Sequence, residues 1–165
     1  MLVQDFIVIE RPRHEVLEAF GEDVAGLLAE STSAAARAAE QLRARVGPAL
    51  PAPLAMRKAV TVEIGPTRQA ADSVLIAFSW KVEGGLSGVF PRLDADLEVA
   101  PLGAASTELT VRGRYEPPGG PLGRQLDRLV MHRVAESTVR AFLVHLAGRL
   151  QQRVPGVPAG PQPSN

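Results

Sequence analysis

The sequence predicts an α+β domain in which a curved antiparallel β-sheet wraps around one long C-terminal α-helix. Three observations carry this expectation. Apolar residues alternate at period two through residues 60–82 and 93–115, they recur at helical spacing through residues 121–153, and an Ala-rich helical segment separates a first strand from the rest. Alternation leaves one face of a sheet wet and the other apolar, so the strands read as antiparallel hairpins that need a covering layer. The closing helix is long enough to provide one.

Residues 3–10 (VQDFIVIE) are rich in β-branched and aromatic side chains and read as the first strand. Pro12 ends it, and residues 13–20 follow as a short helix with Val16, Leu17 and Phe20 on one side, closed by Gly21. Residues 22–45 are helical, with a thin stripe of Val24, Leu28, Ala35, Ala39 and Leu42. The Ser31-Thr32-Ser33 cluster is expected to interrupt this helix and start a new one, because short hydroxyl side chains satisfy free N–H groups at helix starts. Residues 47–53 (GPALPAP) form a connector too proline-rich for regular structure.

The period then changes to two. Val60, Val62 and Ile64 point one way, a turn is expected over residues 65–72, and Val74, Ile76, Phe78, Trp80 and Val82 alternate with Leu75, Ala77, Ser79 and Lys81. Gly84 and Gly85 mark a further turn. Leu93, Ala95, Leu97 and Val99 form the next apolar row, and after a turn over residues 101–105 so do Leu109, Val111, Gly113 and Tyr115. Pro121 suits the first position of the long helix, and Pro155 with Gly156 stops it. That helix carries two stripes, Leu122, Leu126, Leu129, Val130, Val134 and Ala141 on one side and Met131, Ala135, Thr138, Val139, Phe142, Leu146 and Leu150 on the other. The folded domain is expected over residues 1–153, with residues 154–165 a Pro/Gly-rich, disordered tail.

Composition narrows the function. A formal net charge of zero gives no general attraction to nucleic acid or to an anionic membrane. The absence of cysteine removes disulfides, thiol nucleophiles and thiolate metal ligands, and fits a cytoplasmic protein. Residues 1–10 do not resemble a signal peptide, and no apolar run reaches membrane-spanning length. Gly103, Gly119, Gly120 and Gly123 lack the Lys-Ser/Thr ending of a phosphate loop, so no cofactor is expected.

Three stretches resemble the START-like superfamily (SRPBCC, or Bet v 1-like, helix-grip proteins). Residues 7–17 (IVIERPRHEVL) are similar to its apolar strand, proline and helix beginning with valine, with Leu17 where that pattern often has tryptophan. Residues 97–103 (LEVAPLG) through 106–111 (STELTV) are similar to its hairpin with a Gly-containing turn and a Thr-x-Leu-Thr strand, and residues 115–124 (YEPPGGPLGR) to its lead into the long helix. The segment over residues 22–53 departs from the family, being longer and more Ala-rich than the usual short second helix. The resemblance implies a helix-grip fold with an apolar cavity between sheet and closing helix. Family members bind lipids, sterols, quinones or polyketides, cyclise polyketides, or act as co-chaperones.

The expected ligand is therefore a hydrophobic small molecule, such as a lipid, a quinone or a polyketide-like compound. Its expected lining is Phe78, Trp80, Leu93, Leu97, Leu109, Val111 and Tyr115 of the strands with Met131, Thr138 and Phe142 of the helix, and Phe142 is expected to border open space. Plain core packing is the competing reading for each of these residues. A polyketide cyclase or aromatase would instead use Tyr115 or Thr138 to polarise a substrate carbonyl. A self-associating module, such as a homodimer, would use Leu126, Val130 and Val134. The carboxylate row Asp94, Asp96 and Glu98 shares a face with Arg112 and Arg114, so solvated ion pairs are expected there. His132 and His145 lie about 140° apart around the helix and cannot serve one ligand, so no metal site is expected. His132, between Arg128 and Glu136, reads as part of a solvated helix face.

Overall fold

The computed structural model of the chain describes residues 1–21, 23–46, 60–82, 92–116 and 128–154, with side chains for all but 39–46, 60, 81–82 and 128–131. These residues hold five strands, β1 (Leu2–Ile9), β2 (Val60–Ala70), β3 (Ser73–Val82), β4 (Arg92–Leu102) and β5 (Ser106–Glu116). They also hold three helices, α1 (Arg13–Phe20), α2 (Val24–Val46) and α3 (Arg128–Arg153). The connector over 47–53, the Gly84-Gly85 turn, residues 121–127 of the long helix and the tail from Pro155 lie outside the described residues.

The strands make one antiparallel sheet in the order β1-β5-β4-β3-β2, so among the described residues β1 and β2 are its edges. Inward residues line up in rows across the strands. Trp80, Leu93 and Tyr115 form one, Ile76, Leu97 and Val111 a second, and Val74, Val99 and Leu109 a third, all buried. Full burial of such a side chain stabilises the fold by roughly 1.5–3 kcal/mol, so these rows and the helices over them set the architecture.

The turn expected over residues 65–72 is in fact mostly strand. β2 runs on to Ala70, and a tight turn at Ala71 and Asp72 leads straight to Ser73, which pairs with Ala70. Gly65 and Pro66 instead sit at a register shift between Ile64 and Thr67. On an edge strand a proline with a bulge breaks no interior ladder, which is why a strong turn signal is tolerated there. β4 likewise extends through Pro101 to Leu102, and Gly103 takes a left-handed φ of 72° in the following turn.

α2 is unbroken where an interruption was expected. Its first turn is capped by Asp23, whose Oδ1 accepts the Gly26 N–H at 3.0 Å. Ser31 and Thr32 are buried mid-helix and donate back to the Leu27 and Leu28 carbonyls at 2.7 and 2.8 Å. A hydroxyl in a helix interior satisfies itself this way instead of starting a new helix.

The layer over the sheet also differs from the expected single helix. α3 lies mainly along β1, whereas α2 lies against β2 and runs antiparallel to α3. The clasp between them pairs Asp23 with Arg153 at 3.5 Å, Glu30 with Arg149 at 2.9 Å, and Ser31 with His145 at 3.3 Å. Since the Ser31 hydrogen is engaged by Leu27, the imidazole donates from Nδ1. Val134, on the stripe that a self-associating module would use, is buried, and Val154 packs into the core with its amide bonded to the Leu150 carbonyl at 3.1 Å.

Candidate functional site

Nine of the ten expected lining residues come together in one buried cluster or directly against it. Phe78, Trp80, Leu93, Leu97, Leu109, Val111 and Tyr115 face inward from β3, β4 and β5, and Thr138 and Phe142 face them from α3. Met131 belongs to α3, with its side chain outside those described. Sequence reasoning missed Leu27, Leu28 and Ala35 of α2, which join the same cluster. Their apolar spacing was visible, but the expected break at Ser31 hid that one helix carries all three.

Three aromatic rings form the centre. Phe78 and Phe142 stack with centroids 5.3 Å apart and planes 11° apart. Trp80 is tilted against both, 5.9 Å from Phe78 and 5.5 Å from Phe142. These separations are typical of favourable aromatic packing. Phe142 is 0% exposed, as are Leu93, Leu97, Leu109, Val111 and Tyr115, so no water-sized space adjoins them. Phe142 therefore does not border open space as expected. A second long helix over the β2 side supplies packing that a lone closing helix would not.

The interior chemistry is limited. Besides the buried Tyr115 hydroxyl, the buried Ser and Thr side chains among the described residues are Ser31, Thr32, Ser73, Thr107, Thr110 and Thr138. Each donates its hydrogen to a neighbour within the fold: Ser73 to the Ala70 carbonyl, Thr107 to the Arg11 carbonyl, Thr110 to Glu108 Oε1 and Thr138 to the Val134 carbonyl at 2.7 Å, with Ser31 and Thr32 as above. Among the described residues no Asp, Glu, His, Lys or Arg is buried as a whole, although Glu15 Oε2 and Arg149 Nε are shielded from water. General acid–base chemistry needs such a group near the reacting atoms.

No protein-family model and no curated protein matches the chain. Solved structures do. A conserved protein from Geobacillus kaustophilus superposes with a TM-score of 0.51 at 11% identity, over 92% of this chain and 96% of that one. The fold is a helix-grip α+β fold, one antiparallel sheet held against a long C-terminal helix. An aromatase/cyclase from a Streptomyces species is similar at 16% identity and a TM-score of 0.43, covering 94% of this chain and 96% of its own. Ara h 8.0201 is similar at 10% identity and 0.41, covering 92% and 98%. At these identities the likeness is one of fold alone.

The outer face of the helix-grip sheet carries charge. Glu98 pairs with Arg112 at 2.8 Å, Asp96 reaches Arg68 on β2 at 3.2 Å, and Asp94 pairs with Arg92 at 3.1 Å. Arg112 was expected among these partners; Arg114 makes none of these pairs. Hydrogen bonding to Asp94 raises the Arg92 pKa above its ordinary range. Exposed pairs of this kind are screened by solvent and contribute little to stability. Asp94, Asp96 and Arg112 line an open depression of about 690 Å³, together with Arg114, Phe78, Ala95 and Gly113. His132 is exposed and pairs with Glu136 at 3.0 Å, as expected for a solvated helix face. No three metal-ligating side chains converge among the described residues, and none of the described helices is long and apolar enough to cross a membrane.

Proposed function

We propose that the chain binds a hydrophobic small molecule, such as a lipid, a quinone or a polyketide-like compound, between the inner face of the sheet and α3. The observation that carries this reading is the buried inner face itself. It is apolar and aromatic, and every buried Ser and Thr hydroxyl hydrogen among the described residues is already engaged. Such a surface rewards apolar contact and offers little to a reacting group. The ligand takes the space of the Phe78–Trp80–Phe142 trio by turning those rings aside, with Leu93, Leu97, Leu109, Val111, Tyr115 and Thr138 as the surrounding wall. A cyclase-type reaction through Thr138 would first have to break its bond to the Val134 carbonyl.

Trp80 is the only tryptophan and Tyr115 the only tyrosine, so intrinsic fluorescence reports on this region directly. Native mass spectrometry of freshly purified protein should reveal a co-purifying apolar compound. Adding that compound back to stripped protein should change Trp80 emission in a saturable way. Emission unmoved by every bound apolar compound would rule out the inner face as the site.

A further inference from the structure

We propose that α2 is a lid for the ligand site proposed above, swinging away from α3 about Gly21 to admit the ligand; this rests on that reading of the inner face. The inner face is closely packed, with Leu93, Leu97, Tyr115 and Phe142 wholly buried. The aromatic trio can therefore turn aside only if a covering element moves. Among the described elements α2 is the one least firmly held.

The strands are tied to their neighbours by backbone ladders. α3 buries Phe142, Leu143, Leu146 and Leu150, and it is also fixed to β1, where Arg140 Nη1 donates to the Phe6 carbonyl at 2.8 Å. Of the described side chains of α2, only Leu27 and Leu28 are large, apolar and fully buried, with Ala35 beside them in the core. The buried hydroxyls of Ser31 and Thr32 bond to the Leu27 and Leu28 carbonyls of the same helix, so those bonds travel with it. Its polar ties to α3 are Glu30 with Arg149 at 2.9 Å, Asp23 with Arg153 at 3.5 Å, and Ser31 with His145 at 3.3 Å. Both ion pairs reach the surface, where water takes over when they part. Elements that open for a ligand are drawn from such lightly packed parts of a fold.

The geometry supplies a hinge and a reason for the opening. α1 is anchored in the core by Val16 and Phe20, and Gly21 follows it with a φ of 54°. Glycine changes the sign of φ without a clash from a β-carbon, so the chain can redirect α2 there while α1 stays in place. α2 lies against β2, which sets Val62 beside Trp80 and Ile64 beside Phe78. Raising α2 thus frees the β2 flank of the two β3 rings of the trio.

The chain contains no cysteine, so thiols introduced in pairs can lock α2 to α3. Glu30→Cys with Arg149→Cys places one thiol on each helix, and a short bis-thiosulfonate reagent bridges them through disulfides that a reductant removes. Ser31→Cys with His145→Cys, further from the hinge, closes a direct disulfide, so the outcome does not rest on one pair folding. The probe is N-phenyl-1-naphthylamine, a neutral apolar fluorophore, titrated into protein stripped of co-purified compounds, with circular dichroism as the check on the fold. The unbridged double variants should take up the probe saturably, the bridged ones should lose that uptake, and reductant should restore it. Single variants treated with the same reagents should keep it. Equal uptake by bridged and unbridged protein would overturn the lid and leave the binding reading standing. Loss in the single variants would also overturn it, since closure would not then be the cause. Absence of uptake in the unaltered chain would overturn the binding reading, and the lid with it.

Discussion

Phe78 and Phe142 stack face to face at 5.3 Å, tying the middle of β3 to α3. Phe142 is also enclosed by Trp80 and has no exposed surface, so its removal leaves a hole that its neighbours can only partly fill. Phe142→Ala should therefore destabilise the domain by about 3–5 kcal/mol, the range for a packed core phenylalanine. The hole would be lined by aromatic and aliphatic groups, and such cavities stay dry and accept small apolar guests. Chemical denaturation measures the first effect and titration with a small apolar probe the second. A loss well below about 2 kcal/mol would mean that the ring borders free space in solution after all.

Ala95 and Gly113 are paired across β4 and β5. A β-carbon at Gly113 would lie 2.5 Å from the Ala95 β-carbon and 2.7 Å from the Asp94 carbonyl oxygen. Neither contact involves a flexible side-chain end, so the strands themselves would have to move. Gly113→Ala should cost about 1–3 kcal/mol by overpacking. Adding Ala95→Gly should recover part of that, because it removes the closer of the two contacts. Strict additivity of the two substitutions in denaturant melts would contradict this coupling.

The sheet, its register faces and most of the candidate site were legible in the sequence because period-two alternation fixes which side of a sheet each residue occupies. The extent of β2 was not. Gly65 and Pro66 are the stronger turn signal by residue type, yet they fall on an edge strand that tolerates them, while the true turn uses Ala71 and Asp72. The continuity of α2 was hidden for a similar reason. Ser31 and Thr32 can either cap a helix or bond back within one, and only burial against α3 and the core decides. Periodicity also cannot say whether the space between two apolar faces is filled. The answer depends on α2 lying beside α3, a long-range relation that residues 22–45 do not encode locally.

Ala71 holds a φ of 49°, the only left-handed non-glycine conformation among the described residues. A side chain there crowds the following carbonyl, at a cost of roughly 1–2 kcal/mol that glycine avoids. Glycine also loses more entropy on folding, which offsets about 0.5–1 kcal/mol of that gain. Ala71→Gly should thus raise stability by up to about 1 kcal/mol, seen as a higher denaturation midpoint at unchanged slope. A lower midpoint would mean that the hairpin relaxes its backbone in solution.

Thr138 separates the binding reading from a catalytic one. Its hydroxyl donates to the Val134 carbonyl at 2.7 Å within α3, so in this arrangement the hydrogen is not directed at the sheet. Thr138→Val keeps the shape, removes an intrahelical bond worth about 0.5–1.5 kcal/mol, and should leave uptake of an apolar ligand unchanged. Thr138→Trp, one turn before Phe142, adds bulk to the same face and should abolish uptake, provided the larger ring displaces the aromatic trio without unfolding the domain. Circular dichroism checks the fold, and native mass spectrometry reads occupancy without interference from the added indole. Loss of binding in the tryptophan variant alone marks a steric site in which the hydroxyl plays no part. Loss in the valine variant as well, with the fold intact, would show that the ligand touches the hydroxyl. Thr138 would then have exchanged its helix partner for the ligand, as carbonyl polarisation by a cyclase requires.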